Sequence, residues 1–97
     1  MGKIDKLHKA FESRVRLGIM SILMVNDWVD YKSLKEQLSL TDGNLASHIN
    51  GLEKLEFIVI NKGFIGKKTN TTYKITELGI QEFKSHINAL ENLIKGL

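Results

Sequence analysis

The fold of this chain is decided by the stretch Leu40-Thr41-Asp42-Gly43-Asn44-Leu45-Ala46-Ser47-His48-Ile49. Thr41 or Asp42 can cap a helix here, because a short side-chain oxygen accepts hydrogen bonds from the free amides of a first turn. One face of this helix is apolar, with Leu45, Ile49 and Leu52 at helical spacing. The other face begins with the small or hydrogen-bonding residues Gly43, Asn44, Ser47 and His48. The stretch therefore predicts a helix that is held to a core on one side and offers its N-terminal turns to a partner.

A shorter helix is predicted directly before this one. Asp30 can cap a helix that runs through Leu38, and Ser39-Leu40 forms a tight turn before the next helix, which continues to about Leu55. Two short helices joined in this way are typical of a helix-turn-helix.

A central helix and a stub of strand precede the helix-turn-helix. Ser13 can cap a helix from about Arg14 to Val25, whose apolar residues surround its axis and so predict burial on most sides. Trp28-Val29 is long enough only for a very short strand.

A basic hairpin follows the helix-turn-helix. From Phe57 to Ile75 the chain is rich in β-formers, with a kink predicted at Lys62-Gly63 and a polar loop from Gly66 to Asn70. This segment carries no acidic residue and four lysines, Lys62, Lys67, Lys68 and Lys74. A purely basic hairpin beside an exposed helix N-terminus predicts a polyanionic partner.

The last helix predicts self-association. Thr76 can cap a helix that runs almost to the end of the sequence, with an apolar seam whose average period is near 3.5 residues. The seam consists of Ile80, Phe83, Ile87, Leu90, Ile94 and Leu97, and a short amphipathic first helix adds Ile4, Leu7 and Phe11. The alternative is that the last helix folds back on its own domain. We expect a homodimer, because a helix of about 20 residues is roughly 30 Å long and its distal part needs another surface.

Composition and charge exclude several classes of protein. The 97 residues fit one mostly α domain with a small β hairpin, in which residues 12–76 form the core and residues 1–11 and 77–97 form dimerisation helices. The net charge is +3, there is no cysteine, and no apolar run approaches the roughly 18–20 residues of a membrane span. These features predict a cytoplasmic protein without a membrane partner. Glu82 and His86 share a helix face, but two ligands do not make a metal site, so no metal or cofactor is predicted.

The chain resembles the small winged-helix transcriptional regulators of prokaryotes, related to the ArsR and MarR groups. The resemblance rests on Arg16-Leu17-Gly18-Ile19, on residues 40–49, on Lys62-Gly63-Phe64-Ile65-Gly66-Lys67-Lys68 and on Thr72-Tyr73-Lys74-Ile75-Thr76-Glu77-Leu78-Gly79. It implies a winged helix-turn-helix fold and a homodimer that binds a pseudo-palindromic operator in double-stranded DNA. The helix at about 41–55 would read the major groove, and the wing at about 62–72 would contact the backbone or minor groove.

Two departures limit what the resemblance implies. Ser33 to Ser39 holds no cysteine or histidine, so the metal sensing of many ArsR-type proteins is not implied. Asn50-Gly51 stands where relatives often have longer basic residues, so the charge for binding is expected to come largely from the wing.

Candidate base contacts lie on the exposed face of the predicted reading helix. Asn44 can form paired hydrogen bonds to adenine, with Ser47 and His48 one turn further along. The alternatives are that Asn44 and Ser47 are merely solvated and that His48 braces the helix against its neighbour. Gly43 either lets a phosphate approach the helix N-terminus or only shapes the turn.

Candidate backbone contacts surround these residues. They are Tyr31, Lys32, Ser33, Thr41, Gly43, Lys54, Lys62, Lys67, Lys68 and Asn70, and Lys74 is expected on the same basic edge as the other hairpin lysines. Tyr31 can instead belong to the core, and a two-lysine hairpin tip can be simply a solubilising turn.

Two other functions compete with DNA binding. A winged-helix module can bind protein through the same groove, without tight binding to duplex DNA. An enzyme is not predicted, because the chain offers no nucleophile with its base and no cluster of metal ligands. A small-molecule effector is a further partner of such regulators, but no convergent polar groups in the sequence mark a site for one.

Overall fold

The computed structural model describes residues 3–96, apart from the side chain of Lys3. Its helices are α1 (Arg14–Val25), α2 (Tyr31–Leu38), α3 (Asp42–Lys54) and α4 (Glu77–Lys95), and its strands are β1 (Val29–Asp30), β2 (Ile58–Ile65) and β3 (Lys68–Ile75). Two short 3-10 helices, Lys3–Lys6 and Lys9–Phe11, precede α1. This order confirms the predicted fold of a helix-turn-helix, α2–α3, followed by a hairpin, β2–β3, and a long last helix.

Each α-helix begins at a side-chain cap, as the sequence predicts. The capping oxygens of Ser13, Asp30, Thr41 and Thr76 accept a hydrogen bond from the amide three residues later, at 3.3, 2.7, 3.3 and 2.9 Å. Ser39 ends α2 in the left-handed conformation, with a φ of 52°. This residue reverses the chain direction, so that only residues 39–41 separate the end of α2 from the start of α3.

The N-terminal segment differs from the single amphipathic helix that the sequence suggested. The two 3-10 helices are separated at His8, whose backbone is extended and whose Nδ1 accepts a hydrogen bond from the Ala10 amide at 3.0 Å. The His8 amide donates in turn to His86 Nδ1 of α4 at 3.0 Å. A continuous helix is excluded because the His8 amide is used by this tertiary contact. Phe11 is thereby placed in the core, with ring centroids 5.6 Å from Phe57 and 5.3 Å from Phe83.

The hairpin is longer and more regular than the sequence suggested. The sheet order is β1-β3-β2, and both pairings are antiparallel. Gly66-Lys67 alone forms the turn, with a φ of +63° at Gly66 that suits glycine. The predicted loop from Gly66 to Asn70 is wrong, because cross-strand pairing extends through its last three residues. Lys62-Gly63 likewise pairs in register and forms no break in the strand.

The core centres on α1, which contacts α2, α3, α4 and β3. Ile19, Met20 and Leu23 of α1 are almost completely inaccessible to solvent. At its end the helix leaves the core, and Val25 is 81% exposed. The prediction of a central buried helix is therefore confirmed for the middle of α1.

The apolar seam of α4 divides into two parts. Phe83 is buried and Ile80 packs against the core, so the first half of the helix folds back on its own domain. Ile87, Leu90 and Ile94 of the second half are 40%, 40% and 69% exposed, whereas Ala89 on another face of the same half is buried. Leu97 lies outside the described residues. The alternative of folding back thus holds for half of the seam, and the other half is only partly covered by residues 3–96.

The remaining N-terminal residues of the predicted dimer surface are distributed in the same way. Phe11 is buried in the subunit, Leu7 is half-buried and Ile4 is 68% exposed.

Within the part of the chain that the structure describes, no helix has the length and hydropathy needed to cross a membrane.

Candidate nucleic-acid interface

The two faces of α3 are those that the sequence predicts. Leu45, Ile49 and Leu52 are 0%, 3% and 0% exposed and anchor the helix to the core. Gly43, Asn44 and Ser47 are exposed, and His48 is half-buried. The N-terminal turns of α3 therefore present a short polar face to solvent.

The start of α3 is tied to α2 by a network around Asp42. Lys35 Nζ lies 3.0 Å from Asp42 Oδ1, and the Tyr31 hydroxyl donates to the backbone oxygen and Oδ1 of Asp42, at 3.1 and 3.3 Å. The hydrogen bond from Lys35, together with its charge, lowers the pKa of the Asp42 carboxyl. Burial and the Asp42 charge raise the pKa of Tyr31. The acid at this helix N-terminus is thus neutralised within the protein.

The same network defines the roles of two side chains on α2. Tyr31, a candidate phosphate contact, has its hydroxyl hydrogen bonded to Asp42. Lys35 was not predicted as a site residue, although it lies four residues after Tyr31 and so on the same side of α2. This spacing places Lys35 beside Tyr31 on α2. It does not predict that Asp42, on the other side of the turn, lies close enough to bind both side chains.

His48 braces α3 against α1, which is one of the two predicted alternatives. Its Nδ1 accepts a hydrogen bond from Arg16 Nε at 3.2 Å. Since an arginine Nε is always a donor, the neutral imidazole carries its proton on Nε2. Burial, with a smaller contribution from the Arg16 charge, lowers the pKa of His48 and favours this neutral form. His48 therefore offers one N–H donor, Nε2–H, in addition to its bracing contact.

Gly43 is not required by the protein's own packing. It lies in the first turn of α3 with a negative φ, and a Cβ added to it would have no neighbour within 4 Å. Thr41 already caps the helix, so the turn does not depend on glycine. Of the two predicted roles, this geometry favours open access to the backbone amides over shaping of the turn.

The hairpin stands beside α3 and leaves a cleft between them. The cleft has a volume of about 600 Å³. Its lining includes Ala46, Asn50 and Glu53 from α3 and Ile60, Lys62, Thr71 and Tyr73 from the hairpin. Lys62 thus lies on the hairpin face that looks toward α3. Lys67 and Lys68 are exposed at the tip, next to Phe64 and Ile65, which are 74% and 68% exposed.

Lys74 does not join the other hairpin lysines on one edge, contrary to the expectation. Its Nζ is 3.2 Å from Asp27 Oδ1 and 5.8 Å from the centroid of the Trp28 ring. It lies in β3 on the face opposite to Thr71, the cross-strand partner of Lys62. Lys74 therefore contacts Asp27 and Trp28, just before β1, and not the cleft beside α3.

The other predicted backbone contacts have mixed surroundings. Lys32 and Lys54 are exposed, Ser33 is half-buried and donates its amide to the Asp30 cap, and Thr41 Oγ1 is occupied by capping. Asn70 pairs with Gly63 on the face away from the cleft. Only part of the predicted set therefore surrounds the exposed face of α3.

One family model and several known proteins are similar to this chain over most of its length. Residues 15–94 match the family model described as a winged helix DNA-binding domain. An uncharacterised protein of Methanocaldococcus jannaschii, MJ0432, is 37% identical over 89 residues, which cover 92% of this chain and 97% of that protein. The structure of a transcriptional regulator homologue from Pyrococcus horikoshii OT3 is similar with a TM-score of 0.82 and 30% identity, covering 99% of this chain and 97% of the other.

A more distant structure shares the fold alone. The PcaV transcriptional regulator of Streptomyces coelicolor, solved with its natural ligand, has a TM-score of 0.74 at 10% identity. The match covers 94% of this chain and 65% of that one.

Proposed function

Because this chain belongs to the family of winged helix DNA-binding domains, we propose that it is a sequence-specific regulator of transcription that binds an operator in double-stranded DNA as a homodimer. One observation carries the proposal. The hairpin presents Lys62 across an open cleft from Ala46 and Asn50 of α3, and the exposed residues Gly43 and Ser47 lie beside that cleft on α3. Sequence-specific binding requires short hydrogen-bonding groups for base edges and cations for phosphates, and the two elements supply one each. Binding of chromosomal DNA would place the protein in the cytoplasm.

The first turns of α3 would enter the major groove. Asn44 is exposed there and can form two hydrogen bonds to an adenine edge, and Ser47 is exposed one turn later. His48 would contribute through Nε2–H, because its Nδ1 is occupied by Arg16. A donor of this kind suits the acceptor atoms of guanine or a phosphate oxygen.

The phosphate contacts would come from cations around this face. Lys67 and Lys68 at the hairpin tip would follow the backbone or enter the minor groove, and Lys62, Lys32 and Lys54 would lie closer to α3. The free amides at the start of α3, left open by Gly43, can receive a further phosphate.

A second copy would cover the distal half of α4. Ile87, Leu90 and Ile94 form an exposed apolar strip on one face of this helix, with Ile4 exposed on the N-terminal segment. Pairing of two such strips would give a two-fold dimer, and two copies of α3 about 34 Å apart would reach successive major grooves of a pseudo-palindromic site.

Fluorescence anisotropy with labelled duplexes tests this function. A pool of genomic fragments, enriched by selection on the protein, is compared with random duplexes at about 0.15 M salt. Asn44→Ala should erode the preference for the selected sequence by about 1–3 kcal/mol. Lys67→Ala with Lys68→Ala removes four lysines from the dimer, so it should weaken binding to every duplex and lower the slope of log K against log salt by about 3.6.

Two outcomes would reject the proposal. Equal losses from both sets of substitutions on all sequences would refute the division into base and phosphate contacts. Absence of tight duplex binding by the unaltered protein at physiological salt would favour the competing function, a winged-helix module that binds protein.

A further inference from the structure

The cations that α3 and the hairpin supply lie on one side of α3 and not on the other. A helix in the major groove is flanked by a phosphate backbone on each side. The hairpin supplies Lys62 on the side of α3 that carries Ala46 and Asn50. The opposite side carries Asn44, His48 and Gly51, and α3 itself has no lysine or arginine there.

Arg16 of α1 occupies this opposite side. Its Nε donates a hydrogen bond to His48 Nδ1 at 3.2 Å. Its Nη2 lies over Gly51 so closely that a Cβ on residue 51 would overlap it. The guanidinium is thus held at two successive turns of α3, and the glycine provides the space for it.

The charge of Arg16 is not neutralised by the protein. The ion pairs among the described residues involve Lys35, Lys74, Lys95 and His8, and none of them includes Arg16. Its Nε is occupied by an uncharged acceptor, while its two terminal nitrogens have no hydrogen-bond partner among residues 3–96. The side chain is only partly buried. A positioned guanidinium with free terminal N–H groups is well suited to bind a phosphate through two hydrogen bonds.

We propose that Arg16 binds a backbone phosphate on the α1 side of the major groove, and that His48 and Gly51 are the residues that position it. This inference rests on the proposed binding of duplex DNA and adds a second line of phosphate contacts to that of the hairpin. It also explains Asn50-Gly51, where the resemblance led us to expect a longer basic residue. The cation for this part of the interface comes from α1, and a small residue at position 51 is what admits it.

The test measures the salt dependence of duplex binding for three variants. Arg16→Gln removes the charge, and Gly51→Ala keeps the charge but displaces the guanidinium. Lys84→Gln is the matched control, because it removes one exposed charge from α4, away from α3. Thermal unfolding of each variant shows whether the fold is retained. Gly51→Ala suits this purpose, because alanine favours a helix more than glycine does and the overlapping atom is the end of a flexible side chain.

Arg16→Gln removes one phosphate contact from each subunit of the dimer and should lower the slope of log K against log salt by about 1.8, so that its affinity deficit narrows by about 12-fold between 50 and 200 mM salt. Gly51→Ala should lower the slope in the same direction, although its net charge is unchanged. Lys84→Gln should leave the slope at the wild-type value.

A wild-type slope in folded Arg16→Gln would overturn the phosphate contact, and a wild-type slope in Gly51→Ala would overturn the positioning role. If Arg16→Gln fails to fold, Gly51→Ala decides alone. Failure of the unaltered protein to bind duplex DNA would refute the proposed function instead, so the two failures are distinguishable.

Discussion

Thr76 Oγ1 donates a hydrogen bond to the backbone oxygen of Glu56 at 2.7 Å. The Thr76 amide donates at the same time to the oxygen of Phe57 at 3.0 Å, and Gly79 packs against that same carbonyl group. These contacts join the turn after α3 to the first turn of α4. The helix proposed to read DNA and the helix proposed to pair subunits are therefore connected at this junction.

Gly79→Ala should destabilise the protein. The new Cβ would overlap the Phe57 carbonyl oxygen, which belongs to the backbone and cannot move aside as a side chain can. We expect a loss of about 1–3 kcal/mol in the free energy of unfolding. Urea unfolding followed by circular dichroism measures it, and a stability equal to that of the unaltered protein would show that the junction is not closely packed.

Gly43→Ala should have the opposite effect on stability and a separate effect on binding. Residue 43 is in a regular turn of α3 with open space around it, so alanine should stabilise the fold by up to about 1 kcal/mol. The same methyl group would obstruct a phosphate at the helix N-terminus, so the affinity for all duplexes should decrease. Unfolding and anisotropy measurements on one preparation test both effects. Unchanged affinity would show that no phosphate approaches this turn.

Leu90→Glu should dissociate the proposed dimer. The side chain is 40% exposed within the exposed strip of α4, and a carboxylate would be costly to bury there. Multi-angle light scattering should give the mass of a dimer for the unaltered chain and of a monomer for the variant. Gln81→Glu is the control, because it adds the same charge to α4 at an exposed position outside the seam. A monomeric mass for the unaltered protein would refute the homodimer.

Acidification should destabilise the protein through two histidines, the buried His86 and the half-buried His48. Burial and the His8 charge lower the pKa of His86, and burial and the Arg16 charge lower that of His48. The unfolded chain therefore binds protons that the folded chain excludes. The neutral histidines of the folded chain make their full contribution to the free energy of unfolding above the unfolded-state pKa of histidine. This contribution is lost as the pH falls through the lowered pKa of the folded state. Urea unfolding at about pH 7.5 and about pH 5.5 measures the difference.

His86→Gln separates the contribution of this histidine. His86 Nδ1 accepts a hydrogen bond from the His8 amide, and His8 Nε2 lies 3.9 Å from Glu82 Oε2. Glutamine preserves an acceptor but does not titrate, so the pH dependence of stability should become weaker. The carboxyl of Asp42 does not interfere, because its pKa is lowered further below this range. Stability that increases on acidification would contradict the assignment.

Local signals in the sequence were sufficient for most of the fold. The starts of three α-helices are correctly predicted from Ser13, Asp30 and Thr76, because a cap acts on amides only a few residues away. For α3 the sequence left Thr41 and Asp42 as alternatives, and Thr41 is the cap. The two faces of α3 follow from helical periodicity in the same way.

The errors have tertiary causes. The first helix is broken because the His8 amide bonds to His86, a residue 78 positions away. The hairpin loop is shorter than predicted because cross-strand pairing dominates over the polar composition of residues 66–70. Arg16 belongs to one of the segments that carry the resemblance, but the sequence does not predict its role, since its contact with His48 exists only when α1 packs on α3.

The attachment of the N-terminal segment to α4 also bears on the order in which the domain can form. Phe11 belongs to the element that precedes α1, yet its ring packs on Phe83 of the final helix. Contacts between such distant parts of a chain form late in folding, because a long loop must first be closed. During synthesis, Phe11 can pack on Phe57 but would remain without its contact to Phe83 until α4 has left the ribosome. We expect a nascent chain that ends before α4 to retain an exposed aromatic surface, which makes completion of that helix the step that closes the domain.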